Sequence, residues 1–302
     1  MNSNEAAPGS RVDTNYPVAT VFYAVVGVVV FIVTMAINNC PMNNLGFQGD
    51  CLAKFLGRLS FQPFEENPLF GPSSYTLTRM GALGHQHQAW RLFTSMWLHA
   101  GVLHLLTNTV GILFLGIHFE KQFGIMRIGL IFLLSGFGGS VLSSLFIRNS
   151  VSVGSSGVLF GLIGAMLSEV ITNWTLHSNK VMTLLPLLVI SVANLVVGIF
   201  PHADNIAHIG GLLVGILLGF ILLPRPRYGE LELRHIRAGV RQKAKYKAYQ
   251  LLLGIVSLTL LIVGLSIALV TLFRGGNVYD NCNWCHYLTC VPSSKWDCSY
   301  KD

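Results

Sequence analysis

The chain has 302 residues, of which 52% are hydrophobic and 11% charged. Soluble domains carry about 25% charged residues, so this composition excludes a soluble globular protein and points to the lipid bilayer. The net charge of +7 lies largely in short loops between apolar runs, which makes it a topology signal and a poor platform for nucleic acid.

Runs of about 20 apolar residues mark membrane helices, and they are found at 17–37, 92–119, 125–147, 156–171, 181–200, 206–223 and 251–273. An all-α polytopic membrane protein follows. Residues 1–16 form a short polar tail whose Glu5 and Asp13 are unlike an Arg-rich transit peptide. The first run is too long for a signal-peptide core and no clear small-residue cleavage site follows it, so it reads as an uncleaved signal anchor. A long loop, 38–91, carries Cys40 and Cys51. The second run is interrupted by His99, His104 and Asn108, and the fourth is short and opens on Gly154-Ser155-Ser156-Gly157. The fifth is branched and leucine-rich, with no glycine before Gly198. The sixth carries His208 near its start, followed by Gly211, Gly215 and Gly219. A basic loop, 224–250, leads to the seventh run, and a cysteine-rich tail, 274–302, closes the chain.

Orientation follows from Lys and Arg near the span ends. With the amino terminus cytosolic, Arg11, Lys121, Arg127 and Lys180 face the cytosol, together with Arg225, Arg227, Arg234, Arg237, Arg241, Lys243, Lys245 and Lys247. The 224–250 loop is also placed to touch anionic lipid, at roughly 1 kcal/mol per basic residue. The same orientation puts Cys40, Cys51, Cys282, Cys285, Cys290 and Cys298 outside, where an even number points to disulfides with the pairing left open. A zinc site, or the haem-attachment string formally matched by Cys282-Asn283-Trp284-Cys285-His286, are the lesser readings of the tail. The sequon Asn173-Trp174-Thr175 falls on the cytosolic side and is expected to stay bare.

Polar groups inside spans are costly and normally face a protein interior or a water cavity. The second, fourth and sixth spans run in the same direction, and they deliver His104 with Asn108, Ser156, and His208 to one external-side layer. Packing accidents would not share a depth. His104 and Asn108 are four apart and project from one helix face, while His99 leans off it, nearer the surface. Gly157 with Gly161, and Gly211 with Gly215 and Gly219, form small-residue seams that let two helices approach closely. Close approach would bring Ser156 Oγ to a His208 ring nitrogen, the pairing of a nucleophile with its base. Free backbone N–H groups at the start of the fourth helix, the Asn108 amide and the His104 ring would serve a developing oxyanion. Asp204, four before His208, reads as a helix cap rather than a third member, and Glu169 lies too deep, so a dyad is expected. No metal or other cofactor is expected. A metalloprotease of the usual kind needs His-Glu-x-x-His, which is absent, and His85-Gln86-His87 has no acidic base beside it. An aspartyl protease needs membrane aspartates, and Asp13, Asp50, Asp204, Asp280, Asp297 and Asp302 all lie outside the runs. A transporter would show an inverted repeat, and none is visible.

Gly154-Ser155-Ser156-Gly157 and Ala207-His208-Ile209-Gly210-Gly211 with Gly215 resemble the two signature motifs of the rhomboid intramembrane serine proteases. His99, His104 and Asn108 resemble the family's second-span pattern, Trp90-Arg91 its first-loop pair, and Gly116-Ile117-His118-Phe119-Glu120 with Gly124 its Gly-x-x-x-Glu-x-x-x-Gly stretch. The resemblance covers residues 80–223. It implies a six-helix rhomboid core at 17–223 with a seventh helix at 251–273, the six-plus-one layout of eukaryotic secretory-pathway members, plant ones above all. It implies Ser156 as nucleophile and His208 as base. Asn108, His104 and the Ser156 backbone, with Gly154 beside them, would form the oxyanion site. Trp90, Arg91 and Glu120 would be structural, and Phe160, where many bacterial members have tyrosine, would stack on the base. The implied substrates are single-span membrane proteins cut near their lumenal side, with the fifth span as lateral gate. The implied location is the Golgi or plasma membrane. An inactive relative that binds client helices is the competing implication, against which both Ser156 and His208 are present.

Overall fold

Among the described residues, seven helices are long and apolar enough to cross a membrane. The structure, a computed structural model, describes residues 16–44, 49–84, 88–146, 151–174, 179–200, 204–225, 246–276 and 278. The four tail cysteines, His85-Gln86-His87, the amino-terminal tail and loop residues 226–245 lie outside that set. The spanning helices are α1 (Val18–Asn38), α5 (Val102–Phe123), α6 (Ile125–Phe146), α7 (Ser155–Thr172), α8 (Lys180–Val197), α9 (Asn205–Leu222) and α10 (Ala248–Phe273). Short helices α2 (Cys40–Asn43), α3 (Ser74–Met80) and α4 (Arg91–Thr94) belong to the loop between α1 and α5.

Local chemistry sets the helix ends. The Asp204 side chain accepts from Ile206 N–H at 2.8 Å and so starts α9 as the sequence predicts. Asn179 does the same for α8, accepting from Met182 N–H at 3.2 Å. Gly124 turns α5 directly into α6 at φ 86°, a conformation side chains rarely adopt. Pro17 brings α1 no side-chain cap, and the Glu120 carboxylate reaches across from α5 to supply one. It accepts from Ala19 N–H and Thr20 N–H, both at 2.8 Å, and from Thr20 Oγ1 at 2.7 Å.

The second apolar run, predicted as one span over 92–119, is two structures. Residues 91–97 form α4 and a 3₁₀ turn, the chain extends at Leu98, and the spanning helix begins only at Val102. Close packing against the long loop forces the break. A Cβ on Gly101 would lie 2.6 Å from Leu69 C, Val102 N–H bonds Phe70 O at 3.0 Å, and Asn67 Nδ2 bonds Ala100 O at 2.8 Å. The other six runs match their helices to within about three residues at each end.

Helix α7 is the axis of the bundle. The share of residues buried in its spanning window is 83%, against 11% in α8 and in α10. It packs on α9 and α6 through glycine. A Cβ on Gly215 would lie 2.7 Å from Gly161 Cα, and one on Gly211 2.8 Å from Gly157 Cα. The α6 glycines join the same seam, with a Cβ on Gly139 meeting Ala207 O at 2.8 Å. On the outside, α1 lies against α5, α8 against α5 and α7, and α10 against α9 and α6. Only Leu187 and Asn194 of α8 are buried.

The long loop is bound to the end of α1. Asn38 Oδ1 accepts from Gln62 Nε2, Ser73 N–H and Thr76 Oγ1 at 3.0–3.2 Å. A disulfide joins Cys40 to Cys51, resolving one pairing the sequence left open.

Candidate active site

Ser156 is the second residue of α7 and His208 the fourth of α9. The glycine seam below them brings Ser156 Oγ to 2.6 Å from His208 Nε2, with both residues buried. Phe160, one turn beyond the serine, stacks on the imidazole at 4.3 Å between centroids and 9° between planes, which fixes the ring. His208 Nδ1 has no hydrogen-bond partner among the described residues. Asp204 does not reach it, because its carboxylate oxygens accept from Ile206 N–H, Ser152 Oγ and Ser143 Oγ. The other buried acids, Glu120 and Glu169, sit at the far end of the bundle, where Glu169 pairs with Arg225 at 2.5 Å. Among the described residues, then, no carboxylate reaches the imidazole of the Ser156–His208 pair.

His104 and Asn108 lie on the buried face of α5 that continues through Gly111, and a Cβ on Gly111 would be 2.9 Å from Leu159 Cδ2 of α7. Leu159 is one turn below Ser156, and Asn108 one turn above Gly111, so the two polar layers face each other. His104 Nδ1 accepts from Ala100 N–H at 3.2 Å, which puts the ring proton on Nε2, and that atom has no partner among the described residues. Asn108 Nδ2 donates to His104 O at 2.9 Å with one of its two hydrogens. Asn108 Oδ1 is also without a partner. Native structures pair nearly all buried polar atoms, so His104 Nε2, Asn108 Oδ1 and His208 Nδ1, gathered beside Ser156, are candidates for contacts with a substrate or water.

Two expectations change in detail. Gly154, counted beside the oxyanion donors, commits its N–H to Ser95 O at 3.0 Å, and a Cβ there would crowd Ser140 Oγ at 2.9 Å. Gly157 N–H is committed as well, to Gly154 O at 3.0 Å, so what α7 offers an oxyanion is the N–H groups of Ser155 and Ser156, which have no helical carbonyl four residues back. His99 does not approach the surface. It is buried, edge-on to His104 at 5.6 Å, and its ring lies against Gly27 of α1.

Arg91 donates to Thr78 O at 2.6 Å, to Ala82 O at 2.8 Å and to Gln88 Oε1 at 2.9 Å. Its guanidinium lies 4.6 Å from the centre of the half-exposed Trp90 ring. These bonds tie the end of the long loop to the start of α4.

A family model described as Rhomboid domain matches residues 86–225. RHOMBOID-like protein 2 of Arabidopsis thaliana is 56% identical over 279 residues, covering 91% of this chain and 87% of that protein. The chain belongs to the rhomboid family. RHOMBOID-like protein 1 of the same plant is 53% identical over 282 residues, 91% of this chain and 72% of its own length. Another relative, Inactive RHOMBOID-like protein 8, is 40% identical over 290 residues, 92% of this chain and 81% of that one. Rhomboid membership thus fixes the fold and the intramembrane setting, while activity rests on the site.

The sequence reading of this rhomboid missed a tier of serines around the dyad. Ser95 and Ser140 bond through their hydroxyls at 3.0 Å, and Ser143 and Ser152 converge on Asp204. Ser135, Ser140, Ser143 and Ser144 stand out in the third apolar run, but their spacing does not point to Ser95, Ser152 or Asp204 as partners. It also missed Tyr23, which bonds Met96 O at 2.5 Å and packs on Trp97 and Phe132.

Proposed function

We propose that this rhomboid is an active intramembrane serine endopeptidase that cleaves single-span membrane proteins near their lumenal side. The observation that carries the reading is the buried 2.6 Å contact between Ser156 Oγ and His208 Nε2. His208 Nε2 takes the hydroxyl proton as Ser156 attacks the carbonyl carbon. The tetrahedral oxygen then gains charge beside the His104 Nε2–H, the second Asn108 N–H and the first-turn amides of α7, whose dipole favours an anion. His208 returns the proton to the leaving amine, and water repeats the cycle on the acyl-enzyme. Phe160 keeps the imidazole in plane without a carboxylate.

A helical peptide bond is shielded by its own ladder, so a client must unwind to reach the serine. The sparse burial of α8 supports its role as the lateral gate. A cysteine pair that joins α8 to α5 near the Gly111–Ile190 contact should stop cleavage of a helical client. Cleavage unchanged by that crosslink would remove α8 as the gate.

The same reading assigns 17–223 to the protease core, 251–273 to an added span, and 1–16 to the cytosol, in a membrane of the secretory pathway. The Cys40–Cys51 disulfide supports that orientation, because such bonds persist in oxidising compartments. The competing reading, a client-binding protein without activity, is disfavoured by the intact dyad. Purified protein should cut a single-span reporter and react with a fluorophosphonate, and Ser156→Ala should do neither. Equal cleavage by both proteins would reject the proposal.

A further inference from the structure

We propose that Asp204 is a positioning residue for the dyad, its buried carboxylate locking the start of the His208 helix to the chain that enters the Ser156 helix. The inference rests on the serine-protease reading and adds to it.

Asp204 is 1% exposed. Oδ1 accepts from Ile206 N–H at 2.8 Å, inside the first turn of α9. Oδ2 accepts from Ser152 Oγ at 2.9 Å and from Ser143 Oγ of α6. Ser152 precedes Ser156 by four residues, and Asp204 precedes His208 by four, so the carboxylate bridges matching points on the two approaches. The Ser156 approach is held on its other side as well. Gly154 N–H bonds Ser95 O at 3.0 Å, and the Ser95 and Ser140 hydroxyls meet at 3.0 Å on the same α6 face that carries Ser143.

The glycine seam explains why such a lock is needed. Gly157 against Gly211 and Gly161 against Gly215 bring two backbones into contact but offer no side chains to interdigitate. Apposed glycines fix the distance between helices and leave their axial register to polar ties: Ser168 Oγ to Ile216 O at 2.7 Å holds α7 to α9 near the far end, and the Asp204 bridge does so at the site end. An axial slide of about 1 Å would leave the 2.6 Å Ser156–His208 contact within reach but turn the hydroxyl away from its attack geometry. A carboxylate suits the lock because it accepts several bonds at once, each stronger than its neutral counterpart. Its action on His208 is through the backbone, since its two oxygens are taken by Ile206 N–H, Ser152 Oγ and Ser143 Oγ.

The test measures kcat, KM, fluorophosphonate labelling and thermal midpoint for the full chain and its variants, with hydrogen exchange as a readout independent of activity. Ser152→Ala cuts the bridge and leaves the α9 cap in place. It should lower kcat and labelling about 10-fold with KM little changed and the thermal midpoint close to wild type. It should also raise exchange at both helix starts, 151–158 and 204–209. Asp204→Ala should approach the ~10²-fold loss expected of a 1 Å misplacement, and Asp204→Asn, which keeps a carbonyl acceptor and gains a donor toward serine, should recover part of it. Wild-type kcat in Ser152→Ala, or exchange that rises only at 151–154, would overturn the proposal even if Asp204→Ala fails to fold. A wild-type chain that neither cuts nor labels would instead overturn the protease reading, and the exchange pattern would still decide the lock.

Discussion

A buried amide that leaves hydrogen-bonding capacity unused costs about 1–3 kcal/mol, so its retention needs a reason. Asn108 is such a group: it is fully buried, its Oδ1 has no partner, and its amino group gives one bond to His104 O. The remaining N–H is directed to chemistry if charge develops beside it. Asn108→Ala should therefore lower kcat by about 10²–10³ while KM moves little, because the donor matters only once the oxyanion exists. A variant with raised KM and unchanged kcat would make Asn108 a substrate contact and remove it from the oxyanion site. Ser156 and His208 differ in kind, since they already satisfy each other at 2.6 Å in the resting protein.

At the scale of helices, the site depends on how closely α7 and α9 can approach. A Cβ on Gly215 would fall 2.7 Å from Gly161 Cα, against backbone that cannot swing aside. Gly215→Val should lower the thermal midpoint in detergent, at a cost of about 1–3 kcal/mol for overpacking, and should reduce labelling of the distant serine by prising the dyad apart. A stable but unlabelled protein would still support the seam as the source of the dyad geometry; full labelling would refute it. The spans and this seam were legible in the sequence because apolar length and glycine spacing are local signals. The meeting of Ser156 with His208 was legible because two polar residues opened two parallel spans at one depth. The start of α5 was not, since apolar Leu92 and Met96 continue the hydropathy of the helix while the break at 98–101 is imposed by Leu69 and Phe70 of a distant loop. The cap that Glu120 gives α1 and the serine tier around Asp204 were missed for the same reason. Each joins residues remote in sequence, and hydrogen-bond partners at that separation leave no periodicity to read.

For the whole molecule, both ends of the bundle are tied, by different chemistry. At the site end, Asn38 gathers the long loop, the Cys40–Cys51 disulfide closes it, and Arg91 braces its last turn. At the other end, Arg225 pairs with Glu169, Gln250 Nε2 bonds Arg225 O at 3.2 Å, and Tyr249 Oη bonds Thr172 O at 2.9 Å, which docks α10 on the ends of α7 and α9. If the disulfide end is lumenal, Asn173, which sits at the α10-docking end, is out of reach of glycosylation in the lumen. Arg58→Asn, at an exposed position near the disulfide, creates an acceptor sequon with Ser60. Expressed in cells, that variant should gain an endoglycosidase-sensitive mass increment and the unaltered chain none. A glycan on the native Asn173 sequon, with Arg58→Asn left bare, would invert the topology. It would put the dyad on the cytosolic side and end the case for lumenal cleavage while leaving the chemistry of Ser156 and His208 intact.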